Sequence, residues 1–149
     1  MTAASRDAAT EAEIRALVDE QAKAIRARDV DGSLSAYAPD VLLFDVVAPL
    51  RSMGSDVARK RLAEWFASFR GPIGYEVRDL SITAGNDVAF YHSLNRVSAT
   101  TTDGQKLDMW WRATVCCRKV DGASKVTHEH ASVPFYMDGS YRAAVDLNP

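Results

Sequence analysis

Over residues 10–28 the apolar side chains recur at helical spacing, with Ile14, Leu17, Val18 and Ile25 on one stripe and the polar Gln21 in its middle. Thr10 and Glu13 have the spacing of a capping box, so a first helix is predicted from Thr10 to about Arg28, after a small, polar and frayed segment over 1–9. A short second helix is predicted over 33–38, stopped by Pro39, followed by a strand over 41–47 whose apolar run is interrupted by Asp45. Ser55 or Asp56 can cap a third helix running through Phe69, with Ala58, Leu62, Trp65, Phe66 and Phe69 on one wide face that must pack on something broad. Gly71-Pro72 is expected to end it.

The remainder reads as long strands over 73–84, 88–101, 107–120 and 125–133, with turns at Gly85-Asn86-Asp87, Asp103-Gly104 and Asp121-Gly122. If Asp121 and Gly122 are the two central residues of a hairpin turn, Val120 pairs with Ala123, Val115 with His128, and Ala113 with His130. Trp111, Ala113, Val115, Val126, His128 and His130 then share one face. Trp110, Arg112, Thr114, Cys116 and Glu129 point the other way, and a turn longer by one residue swaps the partners. The element order predicts an α+β fold: a cone-like, curved antiparallel sheet packed against three N-terminal helices, with a mouth at one end.

With 149 residues, one domain is expected, its core spanning about 11–135 and its flanking tails 1–9 and 136–149, the latter over a rim. An apolar content of 47% with 26% charged residues and a net charge of -2 gives no basic field for nucleic acid. No apolar run is long enough to span a membrane and no signal-peptide pattern opens the chain, so a cytoplasmic protein is expected. Cys116 and Cys117 are adjacent in a strand and leave opposite faces, which argues against a bridge between them.

Three runs carry a family likeness: ARDVDGSLSAYAPDVLLFD (27–45), SMGSDVARKRLAEWF at the start of the third helix, and RKVDGASKVTHEHASVPF at the end of the hairpin. With the element order, these resemble the nuclear transport factor 2-like superfamily, and within it the SnoaL-like polyketide cyclases and ketosteroid isomerases. SnoaL-like domains commonly end in D-G-x-W-x-V-x-H-x-H-x-S, and here Ser124 stands in the tryptophan place. In ketosteroid isomerases the general-base aspartate follows another aspartate by five residues, and Asp40 and Asp45 have that spacing. The resemblance therefore implies Asp45 as base. It puts the oxyanion-hole tyrosine at Gln21 and the protonated aspartate near 114–116, and neither residue type is kept. Loss of two such donors costs about 10²-fold or more each, which argues against steroid isomerisation itself.

Histidine offers a substitute, since an imidazole can donate to an enolate or accept a proton near neutral pH. The reading from sequence is a cofactor-independent isomerase, cyclase or dehydratase acting next to a carbonyl of a small apolar molecule. Asp45, His128 and His92 are its candidate catalytic residues. Gln21, Tyr37, Trp65, Trp111, His130 and Arg112 are expected to bind substrate. Three histidines with Asp45 would be a reasonable ligand set, yet histidines two apart are common without metal, and neither a metal nor another cofactor is expected. The alternative is a non-catalytic ligand-binding or assembly domain. The long apolar strands predict a homodimer in either case.

Overall fold

The computed structural model describes residues 2–149. Its helices are α1 (Ala3–Arg26), α2 (Val30–Ser33) and α3 (Ser55–Ala67). Its strands are β1 (Tyr37–Phe44), β2 (Ser52–Met53), β3 (Phe69–Ala84), β4 (Val88–Thr101), β5 (Lys106–Val120) and β6 (Ala123–Ser132). They form one mixed sheet in the order β2-β1-β6-β5-β4-β3, in which only β1 and β6 run parallel. The sheet stays open and curls around a concave face that the helices cover, α1 lying along β3 and α3 along β1. This is the α+β cone anticipated from the element order. No helix among the described residues is long and apolar enough to cross a membrane.

Several local expectations are corrected. The first helix begins at Ala3 rather than Thr10, because Thr2 caps it by accepting from the Ser5 amide at 3.2 Å and the alanine-rich segment behind it favours helix. Thr10 is buried within the helix instead of capping it. Glu13 spans to the hairpin turn, accepting from Lys119 Nζ at 2.6 Å, the Ser124 amide at 2.8 Å and Ser124 Oγ at 3.1 Å. Burial pushes this carboxyl up, but the combined hydrogen bonds outweigh it and hold it below its ordinary value.

The second helix is the single turn Val30–Ser33, capped by Asp29 through the Gly32 amide at 2.9 Å, and the segment expected to be helical enters β1. Pro39 is tolerated in that strand because the β1–β6 ladder is interrupted between Tyr37 and Leu42. Strand β1 ends at Phe44, which leaves Asp45 just beyond it. Helix α3 has no side-chain cap and starts from Gly54, whose φ of 101° suits glycine. It ends at Ala67, so Phe69 and Gly71-Pro72 belong to the edge strand β3, with the ladder shifted between Arg70 and Gly74. The C-terminal segment folds back on itself, with Phe135 bridged to Ala143 and Ala144 buried.

Two apolar clusters fill the cone. One joins Ile14 and Val18 of α1 to Val41, Tyr91, Val115, Cys117 and Val126; the other joins Ile25, Phe66, Phe69, Ile73, Val97 and Ala99. Within the second, Phe66 is buried while Trp65 packs edge-on to Phe69 at 5.1 Å and keeps part of its surface open to the concave side. Phe66→Ala should therefore cost about 3–5 kcal/mol in a urea unfolding measurement. Trp65→Ala should cost less, and equal losses would show that the two rings share one environment.

Candidate functional site

The Asp121-Gly122 turn has positive φ at both residues, 51° and 81°, and pairs Val120 with Ala123 as anticipated. Four pairs along, the ladder takes in an extra residue. Cys117 pairs with Val126 but Cys116 pairs with His128, leaving Thr127 as a bulge. Beyond it β6 presents the opposite alternation, so Val115 faces Glu129 and Ala113 faces Ala131. This corrects the expected pairs of Val115 with His128 and Ala113 with His130. Strand β5 is untouched, and Trp111, Ala113 and Val115 stay on the concave face, so a slip of the whole strand does not describe the structure either.

The concave face can be read across the strands in rows. Ile82, Tyr91, Val115, Glu129 and Leu43 make one row; Ser93, Ala113 and Ala131 make the next; Val77, Asn95 and Trp111 make the third. Glu129 is the carboxyl of this surface, part-buried between the two apolar clusters. Tyr37 reaches it from the start of β1 and donates its phenolic hydrogen to Glu129 Oε2. Behind Tyr37 stands Gln21 of α1, which donates through Nε2 to the Tyr37 hydroxyl at 3.2 Å and to the Ser33 carbonyl at 3.0 Å. Both amide hydrogens are thus engaged, and Gln21 holds Tyr37 rather than offering a donor to a ligand. A cavity of about 30 Å³ behind this pair, lined by Leu17, Gln21, Ser33, Tyr37 and Tyr91, has room for one or two waters.

Burial pushes the Glu129 carboxyl up, the Tyr37 hydrogen bond pulls it down, the charge of Asp45 pushes it up and that of His128 pulls it down, with a net rise. Tyr37, Tyr75 and Tyr91 are all held well above the ordinary phenol value, first by burial and next by the charge of Glu129. They remain neutral donors at any physiological pH.

Residues 14–136 match the family model of the SnoaL-like domain. The chain belongs to the SnoaL-like family. Among solved structures it is similar to a nuclear transport factor 2-like protein of unknown function from Pseudomonas putida KT2440, with 34% identity, a TM-score of 0.85, and 95% of this chain and 98% of that one covered. A ketosteroid isomerase-like protein from Erwinia carotovora atroseptica SCRI1043 shares 20% identity at a TM-score of 0.69, over 81% of this chain and 93% of that one. A candidate scytalone dehydratase from Novosphingobium aromaticivorans DSM 12444 shares 16% at 0.74, over 93% of each chain. These last two show a common fold. Comparison with curated proteins gives no match.

The histidines of this SnoaL-like domain lie outside the cone. His92 is exposed on the convex face between Ser81 and Thr114. His128 Nδ1 lies 2.8 Å from the Leu42 carbonyl, and its ring meets Phe44 edge-on at 4.8 Å, with His130 on the same phenylalanine at 5.5 Å. Arg112 is exposed on the convex face as well. Asp45 is exposed just past β1, where its Oδ2 meets Arg61 Nη2 at 3.2 Å and its Oδ1 accepts from the Val46 amide at 2.7 Å. Of the residues picked from the sequence, Gln21, Tyr37, Trp65 and Trp111 reach the concave side. Glu129, Asn95, Tyr75 and Tyr91 were missed. Among the described residues no three His, Cys, Asp or Glu side chains cluster to hold a metal ion.

The raised carboxyl sets a pH signature for this SnoaL-like domain. Below the ordinary carboxylate range Glu129 is protonated whether the chain is folded or not, so it contributes no pH dependence there. As pH rises through its folded-state value, ionisation is easier in the unfolded chain and stability falls. Glu129→Gln should raise the urea midpoint at neutral pH, and the gain should vanish at about pH 3. A gain that is the same at both pH values would mean that the carboxyl's ionisation is not responsible.

Proposed function

We propose that this protein is a cofactor-independent isomerase, cyclase or dehydratase that moves a proton next to a carbonyl of a small apolar molecule, with Glu129 as general base. The reading rests on one observation: a part-buried carboxyl on the concave face, raised by burial, with Oε2 held by Tyr37 and Oε1 unengaged among the described residues. A base raised toward neutrality is a stronger proton acceptor than a solvated carboxylate, and Tyr37 fixes its direction. Gln21 acts through Tyr37 as a positioning residue.

In the proposed reaction, Glu129 Oε1 takes the proton on the carbon beside the carbonyl and the C–H electron pair passes into the enolate. Tyr91, which shares the row of Glu129 and whose neutral hydroxyl has no hydrogen-bond partner among the described residues, is the donor available to the enolate oxygen. Return of the same proton to another carbon gives an isomer; its delivery to a leaving hydroxide at the neighbouring carbon gives water and an alkene. Ring closure follows if the enolate carbon attacks an electrophilic carbon of the same molecule. Asp45 keeps a part as a rim charge that raises Glu129, and the histidines have none in this mechanism.

The test is hydrogen exchange at the carbon beside the carbonyl of a bicyclic ketone in deuterated buffer, followed by proton NMR. Glu129→Gln should slow the catalysed exchange by about 10²–10⁴-fold, and Asp45→Asn should have a much smaller effect. Equal rates for the Glu129 variant and the parent protein would remove the base from the mechanism.

The second reading, a dimeric assembly or binding domain, is favoured by the convex face. Phe90 is 45% exposed there beside the half-buried Cys116, and Leu94 and Trp110 lie half-buried farther along the same face. A homodimer closing on this face is proposed under both readings. Light scattering at micromolar concentration should give twice the 16.3 kDa chain mass, and Phe90→Arg should lower it. A monomer mass for the parent protein would count against it.

A further inference from the structure

The concave side of β4 reads Ala89, Tyr91, Ser93, Asn95, Val97 and Ala99, a strip that is apolar at its ends and polar in its middle. Ser93 and Asn95 are 7% and 6% exposed, and Ser93 Oγ donates to Asn95 Oδ1 at 2.8 Å. That bond uses the carbonyl half of the Asn95 amide. The NH₂ half makes no hydrogen bond to the described residues, although no fully buried side-chain nitrogen or oxygen atom among them lacks a partner. The Asn95 nitrogen therefore keeps a sliver of accessible surface, and by the alternation of β4 that surface opens on the concave side. An apolar ligand laid over it would strip away its water and leave two donor hydrogens unpaired, which disfavours binding unless the ligand supplies an acceptor.

Distance decides which part of a ligand Asn95 meets. It stands four residues along β4 from Tyr91, whose row holds Glu129, a separation of about 13 Å along the strand, and two strands across from β6, about 10 Å more. Measured along the sheet, Asn95 therefore stands two rows away from Glu129 and meets a different part of a ligand laid over this face. Between them lies the row of Ser93, Ala113 and Ala131, all small side chains, and beside Asn95 stands Trp111, with the Tyr75 ring 5.9 Å from it.

We infer that Asn95 is a specificity-determining donor, oriented by Ser93, that reads a carbonyl or ether oxygen on the ligand at the end remote from the reacting carbon. The inference rests on the proposed reading of the concave face as a ligand pocket. The substrate class it adds is an extended apolar molecule with a second, distal hydrogen-bond acceptor. Ligands that offer a donor there, or a plain hydrocarbon edge, are selected against.

The test uses 2-decalone and its isostere 2-methylenedecalin, which differ by C=O against C=CH₂. Titration calorimetry gives the affinities, and the Asn95 side-chain NH₂ signals, identified by their loss in Asn95→Leu, report the contact. The parent protein should bind the ketone roughly tenfold more tightly, with those signals shifted by the ketone alone, a preference of the size of one hydrogen bond. Asn95→Leu should lose most of that preference, keeping only what the phenol near Glu129 supplies, and Asn95→Asp, which keeps the shape but presents only acceptors, should bind the ketone less tightly than the parent does. Glu129→Gln should leave the preference intact. A ketone preference undiminished in Asn95→Leu overturns the inference and leaves the pocket standing. Failure of both probes to bind the folded parent protein overturns the pocket reading and the inference with it.

Discussion

The site hangs on the bulge at Thr127. A single unpaired residue in β6, bonded through its hydroxyl to the Cys116 carbonyl at 3.3 Å, reverses the alternation of everything after it. Without it His128 and His130 would face into the cone and Glu129 would face solvent. With it, a carboxyl is carried under the helices, where desolvation would expel the charged form unless something satisfied it. The parallel β1–β6 pair supplies Tyr37 at that point, since Tyr37 lies opposite Val126 and Leu43 opposite Glu129. Gln21 then fixes Tyr37 from α1, and the Ser33 carbonyl at the end of α2 fixes Gln21. Three helical and strand segments are thereby tied to one carboxylate oxygen.

The two apolar clusters have complementary parts in this. They hold α1 and α3 against the sheet and exclude water from either side of the polar belt, which makes hydrogen bonds within it stronger than they would be at a surface. Glu13 clamps the middle of α1 to both strands of the hairpin through Lys119 and Ser124. The serine in the place where SnoaL-like domains commonly carry tryptophan is therefore an anchor for that helix. Its hydroxyl and amide both donate to the same carboxyl.

The fold was legible because its strongest signals are periodic or stereochemical. Long β-branched runs mark the strands, and Asp121-Gly122 marks a turn whose two positive φ angles suit those residues. The aromatic stripe of α3 required a sheet beneath it. What escaped reading lacked a local mark. Thr127 is an ordinary strand residue, and nothing near it distinguishes a bulge from a continuous ladder, so the turn register alone puts the histidines inside and Glu129 outside. Asp45 reads from sequence as interrupting an apolar strand that continues to Val47; the strand ends at Phe44, and the aspartate sits beside Arg61. Ser93 and Asn95 alternate with apolar residues as an exposed strand face would, and only the pairing of β4 with β5 shows that they belong to the covered side. Gln21 and Tyr37 were recognisable as pocket residues, though their link to Glu129 depends on contacts 92 residues apart.

Family membership sets the scaffold, and the chemistry has to come from the residues this chain places inside it. Here those are one raised carboxyl, three neutral phenols and an amide pair, a set suited to moving a proton near a carbonyl. The central claim is that Glu129 is a covered and perturbed acid. Carboxyl carbon NMR as a function of pH, with the Glu129 signal assigned by its loss in Glu129→Gln, measures this directly. The account requires Glu129 to titrate above an ordinary glutamate and to move higher still in Tyr37→Phe, where the bond favouring its charged form is gone. A Glu129 signal titrating with the exposed glutamates and indifferent to Tyr37→Phe would contradict it.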